Sequence, residues 1–133
     1  MTKLIKKLLE VKNLLIIGII YSVLITIAFL SSTNGLPKID LNLPIDKVIH
    51  LIIYILLIVI WLLYFYIKQD NQLSVRDVFV IFIAILVYGI VIEILQEQLT
   101  TTRQADYLDV IANLTGAIIG LMIFLNVKNR IKT

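Results

Sequence analysis

Ionisable side chains occur at helical spacing inside otherwise apolar stretches of this sequence. Asp46, His50 and Tyr54 recur every four residues, which places them on one face of a helix. A histidine one helical turn from a carboxylate has the chemistry of a general acid/base or of a ligand for a divalent cation. A hydrogen-bonded histidine at a membrane boundary is the simpler interpretation, and the carboxylates further along the chain add weight to the functional one.

Two further polar groups lie at the end of one apolar run and at the start of the next. Glu93 and Gln96 are three residues apart, and Asp106, Asp109 and Asn113 step by three and then by four residues. Ionisable groups inside a membrane-spanning segment are costly, and they face the interior of the protein. Glu93 is therefore either a buried ion-pair partner or a functional group. The side-chain amides of Gln96 and Asn113 are explained most simply as groups that form hydrogen bonds between helices.

The side-chain types suggest distinct roles. His50, Glu93 and Asp109 are our candidates for acid/base catalysis or for holding a divalent cation. The candidates for ligand binding are Asp46, Lys47, Gln96, Arg103, Asp106 and Asn113. Arg103 can bind a phosphate or a carboxylate through two hydrogen bonds, or it can simply neutralise neighbouring acids. Serine and threonine do not occur at a recognisable spacing from a base, so a hydrolase triad has no support.

These side chains belong to a chain with the composition of a membrane protein. Of its 133 residues, 60% are hydrophobic and only 16% are charged, and the mean hydropathy is +1.01. The absence of cysteine excludes disulfides, thiolate metal sites and a cysteine nucleophile. The formal net charge of +3 fits residues that flank membrane spans better than a nucleic-acid-binding patch, so we expect no nucleic-acid partner.

Four apolar runs are long enough to cross a bilayer. They cover residues 14–30, 48–67, 78–95 and 108–125. We predict an all-α membrane protein, a four-helix transmembrane bundle formed by residues 1–133 as a single domain. The first run follows four lysines, as in a signal peptide, but its length favours an uncleaved helix. In a less favoured three-span alternative, the last run is only partly inserted because of Asp109 and Asn113.

The lysines and arginines are distributed unequally between the two predicted sides of the membrane. Nine of the twelve fall on one side: Lys3, Lys6, Lys7, Lys12, Lys68, Arg76, Lys128, Arg130 and Lys132. The positive-inside rule therefore predicts that both termini are cytoplasmic. The polar groups of the second, third and fourth spans then collect at the outer leaflet.

Small residues continue the polar face of the last span. Gly116 and Gly120 follow Asn113 in a small-xxx-small pattern, which is typical of close helix packing. We expect packing within one bundle rather than a dedicated dimer face.

The joint order and spacing of these residues resembles the VanZ-like family of small bacterial integral membrane proteins. The resemblance covers about residues 46–120 and rests on Asp46-Lys47-x-x-His50-x-x-x-Tyr54, Glu93-x-x-Gln96, Arg103-x-x-Asp106-x-x-Asp109-x-x-x-Asn113 and Gly116-x-x-x-Gly120. It implies a helical domain in the bacterial cytoplasmic (inner) membrane. Because the founding member is associated with teicoplanin resistance, it also suggests an effect on glycopeptide susceptibility, although it implies no particular reaction.

Three functional hypotheses follow. In the first, the protein binds or modifies a cell-envelope amphiphile at the outer leaflet, such as a lipid-linked cell-wall intermediate, with or without catalysis. In the second, it is a non-enzymatic accessory protein whose polar residues hold the bundle together and which docks another membrane protein. The third hypothesis is a small transporter. It is the least favoured of the three, because a four-helix bundle is narrow and the polar residues stop about halfway across the membrane.

Overall fold

The computed structural model describes residues 3–31, 45–100 and 106–131. Within these residues the chain forms α1 (Lys3–Leu8), α2 (Val11–Leu30), α3 (Ile45–Lys68), α4 (Val75–Leu99) and α5 (Tyr107–Val127), followed by a 3₁₀ turn at Lys128–Arg130. Helices account for 89% of the described residues, which contain no β-strand. The predicted all-α fold is therefore confirmed.

Helices α2 to α5 are each long and apolar enough to cross a membrane. This finding confirms the four-span prediction, and α5 is one uninterrupted helix, which argues against a three-span chain. Each predicted span lies inside one helix, but α3 begins at Ile45 and α4 continues to Leu99. An apolar run ends at its first polar residue, whereas the backbone hydrogen bonds of a helix continue through polar residues, both buried ones such as Gln96 and exposed ones such as Glu97.

The helices alternate in direction, so one end of the bundle collects the polar groups. The end of α2 meets the end of α4, where Gln96 Nε2 donates a hydrogen bond to the carbonyl oxygen of Phe29 at 2.9 Å. The starts of α3 and α5 meet at the same end, where Lys47 Nζ lies 2.6 Å from Asp106 Oδ2. We call this the polar end.

Helices α3 and α5 pack over the most extensive interface in the bundle. A β-carbon at Gly116 would overlap the carbonyl oxygen of Leu51, and one at Gly120 would lie 2.7 Å from the carbonyl oxygen of Ile55. Only glycine permits this close approach of the two backbones. The contact holds the first turns of α3 and α5 side by side.

The exterior of the bundle is apolar. Ile20, Val23 and Phe79 each expose half or more of their surface, whereas Tyr54 and Ile58 in the centre of α3 are fully buried. Exposed apolar surface of this extent suits lipid rather than water as the surrounding solvent.

Candidate functional site

His50 lies in the second turn of α3, and its side chain is completely buried. The imidazole stacks on Phe29, with ring centroids 4.6 Å apart and an angle of 19° between the ring planes. Its Nδ1 atom lies 3.0 Å from Asn113 Oδ1. Because a carbonyl oxygen can only accept, Nδ1 donates to Asn113, and in a neutral ring this leaves the lone pair on Nε2.

The Nε2 atom of His50 has no hydrogen-bond partner among the described residues. It faces two carboxylates, since Asp46 Oδ1 and Asp109 Oδ2 each lie 3.9 Å away. The Asp109 side chain is buried, whereas about half of the Asp46 side chain, 51%, is exposed. The Nε2 atom thus lies between two acids, of which Asp46 reaches the surface of the bundle.

Lys47 connects the first turns of α3 and α5. Its ammonium group is paired with Asp109 Oδ1, lies 2.6 Å from Asp106 Oδ2 and is 3.5 Å from Asp46 Oδ2. Asp106 also caps α5, because its Oδ1 atom accepts a hydrogen bond from the Leu108 amide. The hydrogen bond from Lys47, together with the one from Leu108, holds the pKa of the Asp106 carboxyl below its usual value.

Glu93 enters the same region from α4. It is only 3% exposed, and its Oε1 atom lies 3.7 Å from His50 Nδ1. The backbone of Asp106 approaches its carboxyl group, yet neither carboxylate oxygen has a hydrogen-bond partner of normal geometry among the described residues. A buried carboxyl group without such partners is costly, and its 3.7 Å approach to His50 is too long for a hydrogen bond, so a structural hydrogen bond does not explain this residue.

Tyr54 lies one turn after His50 and is fully buried, and its hydroxyl group also has no partner in the described part of the chain. A β-carbon at Gly89 would lie 2.9 Å from this hydroxyl and 3.2 Å from Asn113 Nδ2. Glycine at position 89 therefore gives the Tyr54 and Asn113 side chains their room beside α4.

The structure brings together seven of the residues singled out from the sequence, which we name the polar cluster. Its members are Asp46, Lys47, His50, Glu93, Asp106, Asp109 and Asn113. Gln96 is buried but is engaged with the Phe29 carbonyl, so it joins α4 to α2 instead of facing the cluster. The Glu97 side chain is exposed, and Arg103 lies outside the described residues.

Two features of the site escaped the sequence analysis. Phe29 covers one face of the His50 ring. In the sequence, only its position near the end of the first apolar run could have suggested that it lies close to the site. Deeper in the bundle, the Tyr88 hydroxyl lies 2.8 Å from Thr26 Oγ1 and donates to the carbonyl oxygen of Ser22 at 3.0 Å. The face of α2 that carries Ser22 and Thr26 thus forms hydrogen bonds with Tyr88 of α4, and these bonds join the two helices.

The chemistry available to the polar cluster follows from its free atoms. His50 Nε2 can accept a proton or bind a metal ion, Glu93 can accept hydrogen bonds or a proton, and Lys47 offers a positive charge near the surface. Comparisons of this chain with protein-family models, with curated proteins and with solved structures found no match. The geometry and the motif pattern are therefore the basis for a functional proposal.

Proposed function

We propose that this multi-pass protein resides in the bacterial cytoplasmic membrane and uses its polar cluster to bind the head group of a cell-envelope amphiphile. A lipid-linked cell-wall intermediate is the ligand class we favour. The biased distribution of lysine and arginine supports cytoplasmic termini and an outer-leaflet position for the polar end. A site at the end of an apolar bundle suits a ligand whose tail stays in lipid while its head group enters the protein.

The unsatisfied buried atoms carry this proposal. Polar groups that serve only to hold helices together are hydrogen-bonded almost without exception. In the described part of the chain, however, His50 Nε2, Tyr54 Oη and both carboxylate oxygens of Glu93 lack hydrogen-bond partners of normal geometry. A ligand that enters beside Asp46 can supply these partners, because that side chain is the exposed edge of the cluster.

The roles within the site follow from charge and position. We propose that Lys47 and Arg103 engage an anionic group of the amphiphile. If the protein modifies its ligand, His50 acts as the general acid or base together with Glu93 or Asp109. Asn113 acts through His50, since it fixes the tautomer that leaves Nε2 free.

We also propose that the chain is VanZ-like. This idea is supported by the positions of the matching residues that the structure describes. Apart from Gln96, they either belong to the polar cluster or lie in the contact between α3 and α5. The corresponding test is expression in a glycopeptide-sensitive bacterium. We expect the wild-type protein to raise the teicoplanin concentration that inhibits growth, and His50→Gln to abolish the effect at equal membrane abundance.

The matched control for this test is Glu97→Gln, because Glu97 is an exposed carboxylate on α4 that is not part of the polar cluster. It should behave as the wild type does. Full protection by the His50→Gln protein would contradict a functional site at this histidine.

A direct binding test uses purified protein and a polyprenyl phosphate in detergent. A ligand that binds only the folded state raises the unfolding temperature. We expect a rise for the wild type and for Glu97→Gln, and none for Glu93→Gln. An equal rise in all three proteins would place binding elsewhere.

The second candidate is a non-enzymatic accessory protein. The Gln96–Phe29 and His50–Asn113 hydrogen bonds favour it, because both join different helices as structural bonds do. It predicts that substitutions in the polar cluster reduce folded protein and function in parallel.

A further inference from the structure

We propose that the polar cluster holds a divalent transition-metal cation, Zn²⁺ or Mn²⁺, on His50 Nε2, Asp46 Oδ1 and Asp109 Oδ2. This inference rests on the proposed function and deepens it, because the cation would provide the contact for a phosphate oxygen of the amphiphile. It concerns three donor atoms from two helices, α3 and α5.

The donor atoms are already grouped. One ligand atom from each of the three residues lies within 4.8 Å of the other two, and His50 Nε2 is 3.9 Å from each of the two carboxylate oxygens. Ligands of a tetrahedral Zn²⁺ at about 2.0–2.1 Å are separated by roughly 3.4 Å. Small side-chain rotations therefore complete the site without moving a helix.

An independent observation points to a ligand at this position. His50 Nε2 is completely buried, has no hydrogen-bond partner among the described residues and is directed at the two carboxylates. A neutral imidazole bound to a metal commonly donates its other N–H to an oxygen, and here Nδ1 donates to Asn113 Oδ1. The tautomer that metal binding requires is thus already selected.

The carboxylates divide their oxygens between two partners. Lys47 contacts Asp46 Oδ2 and pairs with Asp109 Oδ1, whereas the other oxygen of each residue faces His50. Lys47 therefore orients both carboxylates through the oxygens that do not face His50. Removing Lys47 would loosen both carboxylates at once.

Charge balance favours a cation over further anionic contacts. The polar cluster contains four carboxylates, Asp46, Glu93, Asp106 and Asp109, and one ammonium group, Lys47. A divalent cation offsets much of this excess of carboxylates, and it adds to the positive charge of Lys47 that the proposed function assigns to the anionic group. With three protein ligands, the cation retains an open coordination position, as in catalytic zinc sites. That position would face the exposed edge of the cluster at Asp46, where a phosphate oxygen can enter.

The donor set also narrows the choice of metal. Mg²⁺ and Ca²⁺ prefer oxygen ligands alone, and soft ions prefer thiolates, which this cysteine-free chain lacks. One imidazole with two carboxylates suits Zn²⁺ and Mn²⁺.

The test is metal binding by the full-length protein in detergent after dialysis against a chelator. Zn²⁺ is titrated calorimetrically, and Mn²⁺ is followed by loss of the free-ion electron paramagnetic resonance signal. We expect one equivalent to bind to the wild type and to Glu97→Gln. Affinity should fall at least about 100-fold in His50→Gln and Asp46→Asn, since each removes a direct ligand.

One variant guards against misfolding as the cause of lost metal binding. Asp46→Asn is isosteric and half exposed, so it should keep the wild-type unfolding temperature while it loses metal. Equal binding in the wild type and Asp46→Asn, or no binding at all, would overturn the inference.

Repeating the polyprenyl phosphate test with and without chelator separates the two proposals. Amphiphile binding that is lost with chelator supports the metal site. Binding that is unaffected by chelator overturns the metal inference and leaves the proposed function intact. One equivalent of metal without any amphiphile binding supports the metal site and contradicts the proposed function.

Discussion

At the scale of single residues, the polar cluster combines satisfied and unsatisfied groups. Asp106 has partners for both oxygens, Lys47 and the Leu108 amide, whereas Glu93 has none of normal geometry among the described residues. The two acids should therefore respond to substitution in opposite ways. Removing a paired charge costs stability, and replacing a buried carboxyl group that lacks hydrogen-bond partners by a neutral amide does not.

Asp106→Asn should lower the unfolding temperature at neutral pH, because it removes the ion pair with Lys47. Since folding lowers the pKa of this carboxyl, its stabilisation is complete above the ordinary aspartate pKa of about 3.9 and disappears as the pH falls through the lowered value. Thermal unfolding of both proteins between pH 7 and acid checks this. The difference in unfolding temperature between the wild type and Asp106→Asn should disappear on acidification. A difference that is independent of pH would contradict the ion pair between Asp106 and Lys47.

Asp106→Ala separates the ion pair from the helix cap. Asparagine is a good N-cap residue and alanine is a poor one, so Asp106→Ala should unfold at a lower temperature than Asp106→Asn. This second difference should persist at acid pH, because capping of the Leu108 amide does not require the charge.

At the scale of helices, the close contact of α3 with α5 positions the site. Gly116→Ala should destabilise the protein by about 1–3 kcal/mol, since the new methyl group would overlap the Leu51 carbonyl oxygen and overpacking costs this much. Gly18→Ala is the matched control. Its methyl group would meet Ile60 and Trp61 at an ordinary 3.4 Å, and alanine gains up to about 1 kcal/mol in helix propensity.

Chemical unfolding in detergent compares the two alanine variants. We expect Gly116→Ala to be less stable than the wild type and Gly18→Ala to be equal or more stable. Equal stability of the two variants would show that the α3–α5 contact does not depend on glycine.

The sequence predicts the helices well, because each one is a long apolar run. It predicts less about the site. Glu93 and Gln96 share one face of α4, yet Gln96 bonds to the Phe29 carbonyl and Glu93 turns toward His50. Periodicity defines a face of a helix, but not which neighbouring helix each side chain meets. The stacking of Phe29 on His50 depends on that same relative rotation, so no local pattern predicts it.

At the scale of the whole molecule, the even number of spans places the start of α2 and the end of α5 at the same end of the bundle. The positive-inside rule predicts that this end is cytoplasmic and that the polar end faces outward. Because the chain contains no cysteine, single cysteines can report on the orientation. Exposed Glu97 lies near the polar end, and exposed Gln72 lies in the α3–α4 connection.

We expect a membrane-impermeant maleimide to label Glu97→Cys in intact cells and to label Gln72→Cys only after permeabilisation. The reverse pattern would place the polar cluster on the cytoplasmic side. It would also exclude a ligand that is confined to the outer leaflet.

The central claim is that the polar cluster is a working site and not a structural network, and Glu93→Gln tests it most directly. This isosteric change removes a buried ionisable group without creating a cavity. We predict an unfolding temperature in detergent equal to or above that of the wild type, with loss of polyprenyl phosphate binding. Gln96→Leu is the structural counterpart, since losing its bond to Phe29 should cost about 1 kcal/mol and leave binding by the folded protein unchanged. If the Glu93→Gln protein instead loses stability and binding together, the cluster is structural and the account is contradicted.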